Sequence, residues 1–89
     1  MNFEWDEAKR LSTLAKHRID FVDVRAIFDG RPTVTTVSAD IQERRFLTTG
    51  VLAGVFQTVV WTWRTDDIRL ISARRSRDGE ERAYRALHG

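Results

Sequence analysis

The side chains best suited to chemistry on an anion crowd into one stretch, Asp67 to Tyr84 (DIRLISARRSRDGEERAY). It carries Arg69, Arg74, Arg75 and Arg77, followed by Glu80 and Tyr84. Arginine stays charged at any working pH and offers a planar fork of N–H donors that matches phosphate or carboxylate. Arg69 and Arg74 lie five apart on one expected strand, which puts them on opposite faces if the strand is regular; a bulge would loosen that parity. The pattern predicts phosphate contacts from Arg74 and Arg75 at the strand end, with Arg45 entering from a neighbouring strand. The other reading of each arginine is an ordinary surface ion pair. Glu80 and Tyr84, four apart, share one face of a helix. They would supply a base and a hydrogen-bond donor, or else Glu80 pairs with an arginine while Tyr84 packs on the sheet.

Few other groups can move a proton. His17 closes the first expected helix and is either a general base or a capping histidine. Lys9 pairs with Asp6 or contacts phosphate, and His88 sits at a terminus prone to fraying. Two histidines far apart and no cysteine argue against a metal site, and no cofactor is expected. Gly50 and Gly54 punctuate turns rather than forming a glycine-rich phosphate loop.

These residues need a scaffold, and 89 residues suffice for one domain, here residues 1–89. A composition of 42% hydrophobic and 31% charged residues is that of a globular chain, with no apolar run long enough to span a bilayer. The opening MNFEWDEAKR is charged where a signal peptide would be apolar, so a cytoplasmic location is expected, with no membrane partner. Charge is uneven: residues 1–43 carry 6 basic and 8 acidic groups, residues 44–89 carry 9 and 5. Arginine accounts for 13 of the 15 basic residues, which suits a polyanion or an acidic protein partner.

Phe3-Glu4-Trp5 alternates as a short strand or a tucked-in arm. Asp6 caps a helix over Glu7 to Arg18, with Leu11, Leu14 and Ala15 at helical spacing. Asp20 caps a second helix whose buried stripe is Val24, Ile27 and Phe28, and Gly30 with Pro32 ends it, giving a helical hairpin. Strands follow over Thr33 to Ser38, Arg44 to Thr49, Val55 to Arg64 and Ile68 to Arg74, with a polar connection Ala39 to Gln42 and a turn Val51 to Gly54. Short connections favour an antiparallel meander. A last helix, capped by Ser76 or Asp78, runs from about Gly79 to Leu87. The expected fold is α+β: an N-terminal helical hairpin, a four-stranded antiparallel sheet and a C-terminal helix. Trp5, Phe21, Phe28, Phe46 and Phe56 belong to the core. Trp61 and Trp63 share one strand face, either under the helices or stacking on nucleic-acid bases.

Phe3, Trp5-Asp6, Lys9, His17 and Phe21, then Arg45-Phe46 with Gly50, resemble the opening and middle of BrnT-type toxins. Arg69-Leu70-Ile71-Ser72-Ala73-Arg74-Arg75 with Glu80 and Tyr84 resembles that family's C-terminal signature. The chain departs in carrying Trp61 where many relatives have His or Tyr. The resemblance implies a RelE-like fold and a type II toxin–antitoxin system, whose toxin is a metal-independent endoribonuclease that halts translation. It implies neutralisation by a BrnA-like antitoxin, through which DNA is contacted only indirectly. On that basis Arg74, Glu80, Tyr84, Arg45 and His17 are the candidate catalytic residues, and Arg75, Arg69, Arg77, Lys9 and Arg44 the candidate RNA contacts. Metal-free cleavage uses the RNA 2′-OH as nucleophile, so the protein must stabilise phosphorane-like charge and protonate the leaving 5′-oxygen. The competing function is a non-catalytic arginine-rich binding module or degenerate toxin. A DNA reader is the weakest alternative, because the second helix sets Asp23 and Asp29 against Arg25 alone.

Overall fold

The computed structural model describes residues 1–38 and 42–89, so all but Gln42 of the expected polar connection Ala39 to Gln42 lies outside the described residues. In chain order the elements are β1 Phe3–Trp5, α1 Glu7–His17, α2 Phe21–Val24 continued by a 3₁₀ turn Arg25–Phe28, β2 Val34–Val37, β3 Phe46–Leu52, β4 Val55–Arg64, β5 Asp67–Arg75 and α3 Asp78–His88. The α+β class is as expected. Two features differ.

The sheet has five strands in the order β1-β5-β4-β3-β2. The extra strand is the opening Phe3–Trp5, which pairs parallel with β5 through Phe3–Ile68, Glu4–Arg69 and Trp5–Leu70. Parallel pairing is possible because the connection from β1 back to β5 is the rest of the domain. The β3–β4 and β4–β5 hairpins are tight, each closed by a two-residue link. Ala53 and Gly54 form the two-residue β3–β4 link at φ 51 and 77, the paired positive values of a turn that follows strand twist. β3 therefore runs to Leu52, and the expected turn Val51 to Gly54 contracts to its last two residues.

The N-terminal helices do not form a hairpin. Once β1 has paired with the first half of β5, α1 continues in the same direction and packs against β5. The second segment is α-helical for only four residues before it tightens. Phe21, Val24 and Ile27 explain this: they recur every third residue, the 3₁₀ period, and all are at most 1% exposed. Tightening keeps all three aimed at the sheet. Gly30, at φ 99, then releases the chain, helped by Asp29, which accepts from Arg31 N, Nε and Nη2.

One sheet face carries the core, where Val59, Trp61, Ile68, Leu70 and Ala73 meet Ile19, Phe21, Val24 and Ile27. Burying each of the larger side chains contributes about 1.5–3 kcal/mol. Trp61 lies inside, donating to Thr48 Oγ1 at 2.8 Å and edge-on to Phe28, whereas Trp63 is half exposed. Gly50 is buried against Ile27 and Thr33, where a Cβ would come within 3.4 Å of both. The opposite face is covered by α3, which has no buried residue and rests on polar and ring contacts. Among these are Tyr84 edge-on to Phe56, Arg85 over the Phe56 ring, and His88 donating to the Thr33 carbonyl oxygen. His88 thus ties the helix end to the sheet. The stripe expected on α1 also differs: Thr13 is buried, while Leu11 and Leu14 face solvent.

Candidate functional site

The β5 ladder against β4 slips once, because Val60 pairs with Ser72 while its neighbour Trp61 pairs with Leu70. Ile71 is the inserted residue. The bulge falls where β1 stops and α1 takes over as β5's neighbour. It also reverses side-chain parity beyond it. Arg69 opposite Thr62, and Arg74 opposite Thr58, consequently share one sheet face. Arg75, opposite Gln57, stays on the core face, so Arg74 and Arg75 straddle the strand end.

At that end, the C-terminus of α1 meets the last turn of β5. A cleft of about 430 Å³ opens there, lined by Lys16, His17, Arg18, Arg74, Arg75 and Arg77. Every lining residue is basic. Among the described residues Lys16, Arg18, Arg75 and Arg77 have no carboxylate partner, and concentrated uncompensated charge of this kind attracts a polyanion. Arg74 differs: its Nη1 and Nη2 donate to Glu80 Oε1 and Oε2 at 2.7 and 2.9 Å. Glu80 also accepts from Arg77 N at 2.7 Å and Thr58 Oγ1 at 3.1 Å. The Arg74 guanidinium above all, with these further donors, holds the Glu80 carboxyl down at about 2, against the pull of partial burial. Arg74 is correspondingly pushed up by the same carboxylate. Glu80 is thus ionised, saturated with donors and at the start of α3, where negative charge suits the helix dipole.

Of the residues singled out from sequence, the structure brings His17, Arg74, Arg75 and Arg77 together. It sets Lys9, Arg45 and Arg69 in a second recess with Asp6, Glu43 and Arg64. Here carboxylates answer the cations: Glu43 is 3.4 Å from Arg45, and Glu4 lies 3.6 Å from Arg69 and 3.8 Å from Arg64. Arg44 is exposed, with its carbonyl oxygen accepting from Thr62 Oγ1. Tyr84 lies between Phe56 and His88 on the α3 face. Lys16 and Arg18 are cleft residues that the sequence reading passed over. The triplet Lys16-His17-Arg18 was visible at a helix end, but the β1–β5 pairing that carries it to Arg75 was not.

Arg18 has a further peculiarity. It closes α1 at φ 57, ψ 36, its N–H donating to the Leu14 carbonyl oxygen, a left-handed position that glycine ordinarily fills.

Fold and cleft together define a small α+β protein presenting a focused cationic site at one sheet corner. Residues 5–80 match the family described as ribonuclease toxin, BrnT, of type II toxin–antitoxin systems, and the chain belongs to that family. No curated protein matches the chain.

Proposed function

We propose that this protein is a metal-independent endoribonuclease toxin that cleaves RNA in the cationic cleft and thereby inhibits translation. The observation that carries the reading is the convergence of His17 with Lys16, Arg18, Arg75 and Arg77 around one cleft. The substrate's 2′-OH attacks the adjacent phosphorus, the bond to the 5′-oxygen breaks, and a 2′,3′-cyclic phosphate and a 5′-OH result. His17 takes the 2′-OH proton and returns it to the leaving oxygen, while the cations stabilise charge on the phosphorane-like transition state. Glu80 serves as a positioning residue that fixes the Arg74 guanidinium, and Tyr84 secures α3 through Phe56. Lys9, Arg44, Arg45 and Arg69 lie outside the cleft, and the carboxylates beside Arg45 and Arg69 limit these two to weak contacts with flanking RNA. A lining made of cations favours phosphate and disfavours a bound divalent ion.

The natural inhibitor is a BrnA-like antitoxin whose acidic side chains cover the cleft, with DNA contacted only through that partner. The site of action is the cytoplasm. No helix among the described residues is long and apolar enough to cross a membrane.

Incubating purified protein with a defined RNA in EDTA tests the reading. Cleavage with 2′,3′-cyclic phosphate ends is expected, reduced roughly 100- to 10,000-fold in His17→Ala. Absence of cleavage by the wild type, or full activity in His17→Ala, overturns it. One observation favours a non-catalytic binding module: Glu80 is locked in its ion pair, leaving His17 as the one imidazole lining the cleft. RNA bound tightly but left intact is the outcome that reading expects.

A further inference from the structure

Beside the cleft, on the core face of the sheet, lies a cavity of about 460 Å³, within the usual size range of ligand sites. Ile19, Ala26, Leu52, Ala53 and Val55 give it apolar walls, and Gln57 closes it at the sheet. Arg18 lines both this cavity and the cationic cleft. Gln57 and Arg75, one in each, are direct cross-strand partners on the same sheet face, a pairing that brings Cβ atoms within about 5.5 Å. Cavity and cleft therefore form one continuous surface, apolar in one part and cationic in the other.

The charge bordering the cavity has the opposite sign to that of the cleft. Asp20 accepts from Val22 N and Arg10 Nη1, and so is compensated within the chain. Asp23 is exposed and has no ion-pair partner among the described residues. An RNA strand entering the cavity brings its phosphates towards that free carboxylate, a repulsive approach. A protein segment can satisfy every part of the surface. One cation meets Asp23, one bulky apolar side chain fills the cavity, and carboxylates reach Arg18, Arg75 and Arg77. Charge alone gives such a segment no advantage, because RNA offers the cleft anions at high density. Apolar burial beside a free carboxylate is open to the protein rather than to RNA, and salt does not screen it as it screens the cleft.

We propose that this cavity is the anchor site for the antitoxin. It takes one bulky apolar side chain from a segment whose carboxylates lie in the cationic cleft and whose lysine or arginine meets Asp23. The anchor rests on the antitoxin reading above, and it is the contact by which a protein displaces RNA from cations that both require.

The test titrates three capped hexapeptides and AMP into the intact protein, following the backbone amides by NMR. The first peptide is Lys-Ala-Phe-Glu-Asp-Glu. The second has serine in place of phenylalanine, and the third has glutamine and asparagine in place of the acids. The first is expected to bind on the order of tenfold tighter than the serine peptide, to shift the Ala26, Leu52 and Val55 amides, and to displace a single-stranded RNA. Ala26→Trp fills the cavity from its own wall. It is expected to bring the phenylalanine peptide down to the affinity of the serine peptide, which itself stays unchanged. Asp23→Lys, at an exposed position, is expected to weaken the phenylalanine peptide several-fold without weakening RNA. Equal affinity of the phenylalanine and serine peptides, no binding by either, unmoved cavity amides, or a preference intact in both variants each overturns the proposal. AMP shifting those three amides more than the phenylalanine peptide does would also overturn it, by making the cavity a base site. The acidic covering of the cleft fails separately. A phenylalanine peptide that binds as well without its acids refutes that covering and leaves the anchor standing, whereas acidic peptides indifferent to phenylalanine do the reverse.

Discussion

Two recesses of this protein are built from the same residue types and differ in one respect. The cleft of Lys16, His17, Arg18, Arg74, Arg75 and Arg77 contains no carboxylate in its lining. The recess of Lys9, Arg45, Arg64 and Arg69 includes Asp6 and Glu43, with Glu4 bridging Arg64 and Arg69. In the recess, each arginine already has an anion. An RNA phosphate must displace that partner, and the exchange yields little, since surface ion pairs are worth about 0–1 kcal/mol. In the cleft, four cations wait for an anion to arrive. Counting arginines in the sequence therefore overstates the binding surface, and what distinguishes a site is charge left uncompensated.

The largest expected difference comes from removing arginines in pairs. Arg75→Ala with Arg77→Ala is expected to weaken binding of a single-stranded RNA roughly 100- to 10,000-fold, from two charge-assisted contacts worth about 1.5–3 kcal/mol each. Arg45→Ala with Arg69→Ala is expected to change it by no more than about threefold. Fluorescence anisotropy across a salt series sharpens the contrast. Each cation lost from the cleft should flatten the log–log salt dependence by about 0.7, and those lost from the recess should leave it nearly unchanged. Equal effects from the two pairs would abolish the distinction between the recesses.

That distinction was only half legible in the sequence. The stretch from Asp67 to Tyr84 announces a cationic corner, and strand alternation, β-branched runs and turn residues locate four of the five strands within a few residues. The side on which each arginine projects depends on the Ile71 bulge, which strict alternation cannot reveal. The partners of Arg75 depend on β1 pairing with β5, a contact between chain ends that no local pattern encodes. The helical hairpin failed as an expectation because spacing of three and spacing of three-to-four overlap over eight residues. The Phe21, Val24 and Ile27 series fits the 3₁₀ period as well as the α-helical stripe.

Within the cleft, Arg74 is the residue that most resembles the recess, because Glu80 holds it. Glu80→Gln is expected to cost about 1–3 kcal/mol of stability while freeing Arg74 to bind RNA more tightly. Acid provides a second route to the same result. The folded-state pKa of Glu80, about 2, lies below its ordinary value of 4.5, so the pair's contribution is complete above pH 4.5 and fades as pH falls from there towards 2. Asp29, held at about 2 chiefly by hydrogen bonds from the Arg31 side chain, fades as pH falls from its ordinary 3.8 towards 2, within that window, and leaves a residual slope in the variant. Thermal melts between pH 5 and 2.5 should show a steeper loss for the wild type than for Glu80→Gln. Parallel curves would mean that the ion pair contributes nothing.

The smallest effect separates stability from function at one atom cluster. Arg18 occupies a left-handed helix cap at φ 57, a conformation that costs a residue bearing a Cβ roughly 1 kcal/mol relative to glycine. Nothing in the Arg18 side chain repays that cost within the chain, since it makes no hydrogen bond or ion pair among the described residues. What it does is project where the cationic cleft adjoins the Gln57 cavity. Strain kept at a position facing two cavities is the pattern of a residue retained for its ligand. Arg18→Gly is therefore expected to raise the melting temperature by about 4–8 °C, as about 1 kcal/mol does in a domain of this size, and to weaken RNA binding several-fold. In the recess, Arg45→Gly is expected to do neither, because Arg45 has ordinary backbone geometry and a carboxylate partner. A melting temperature that falls in Arg18→Gly would show the cap to be unstrained. Unchanged RNA affinity would remove Arg18 from the site.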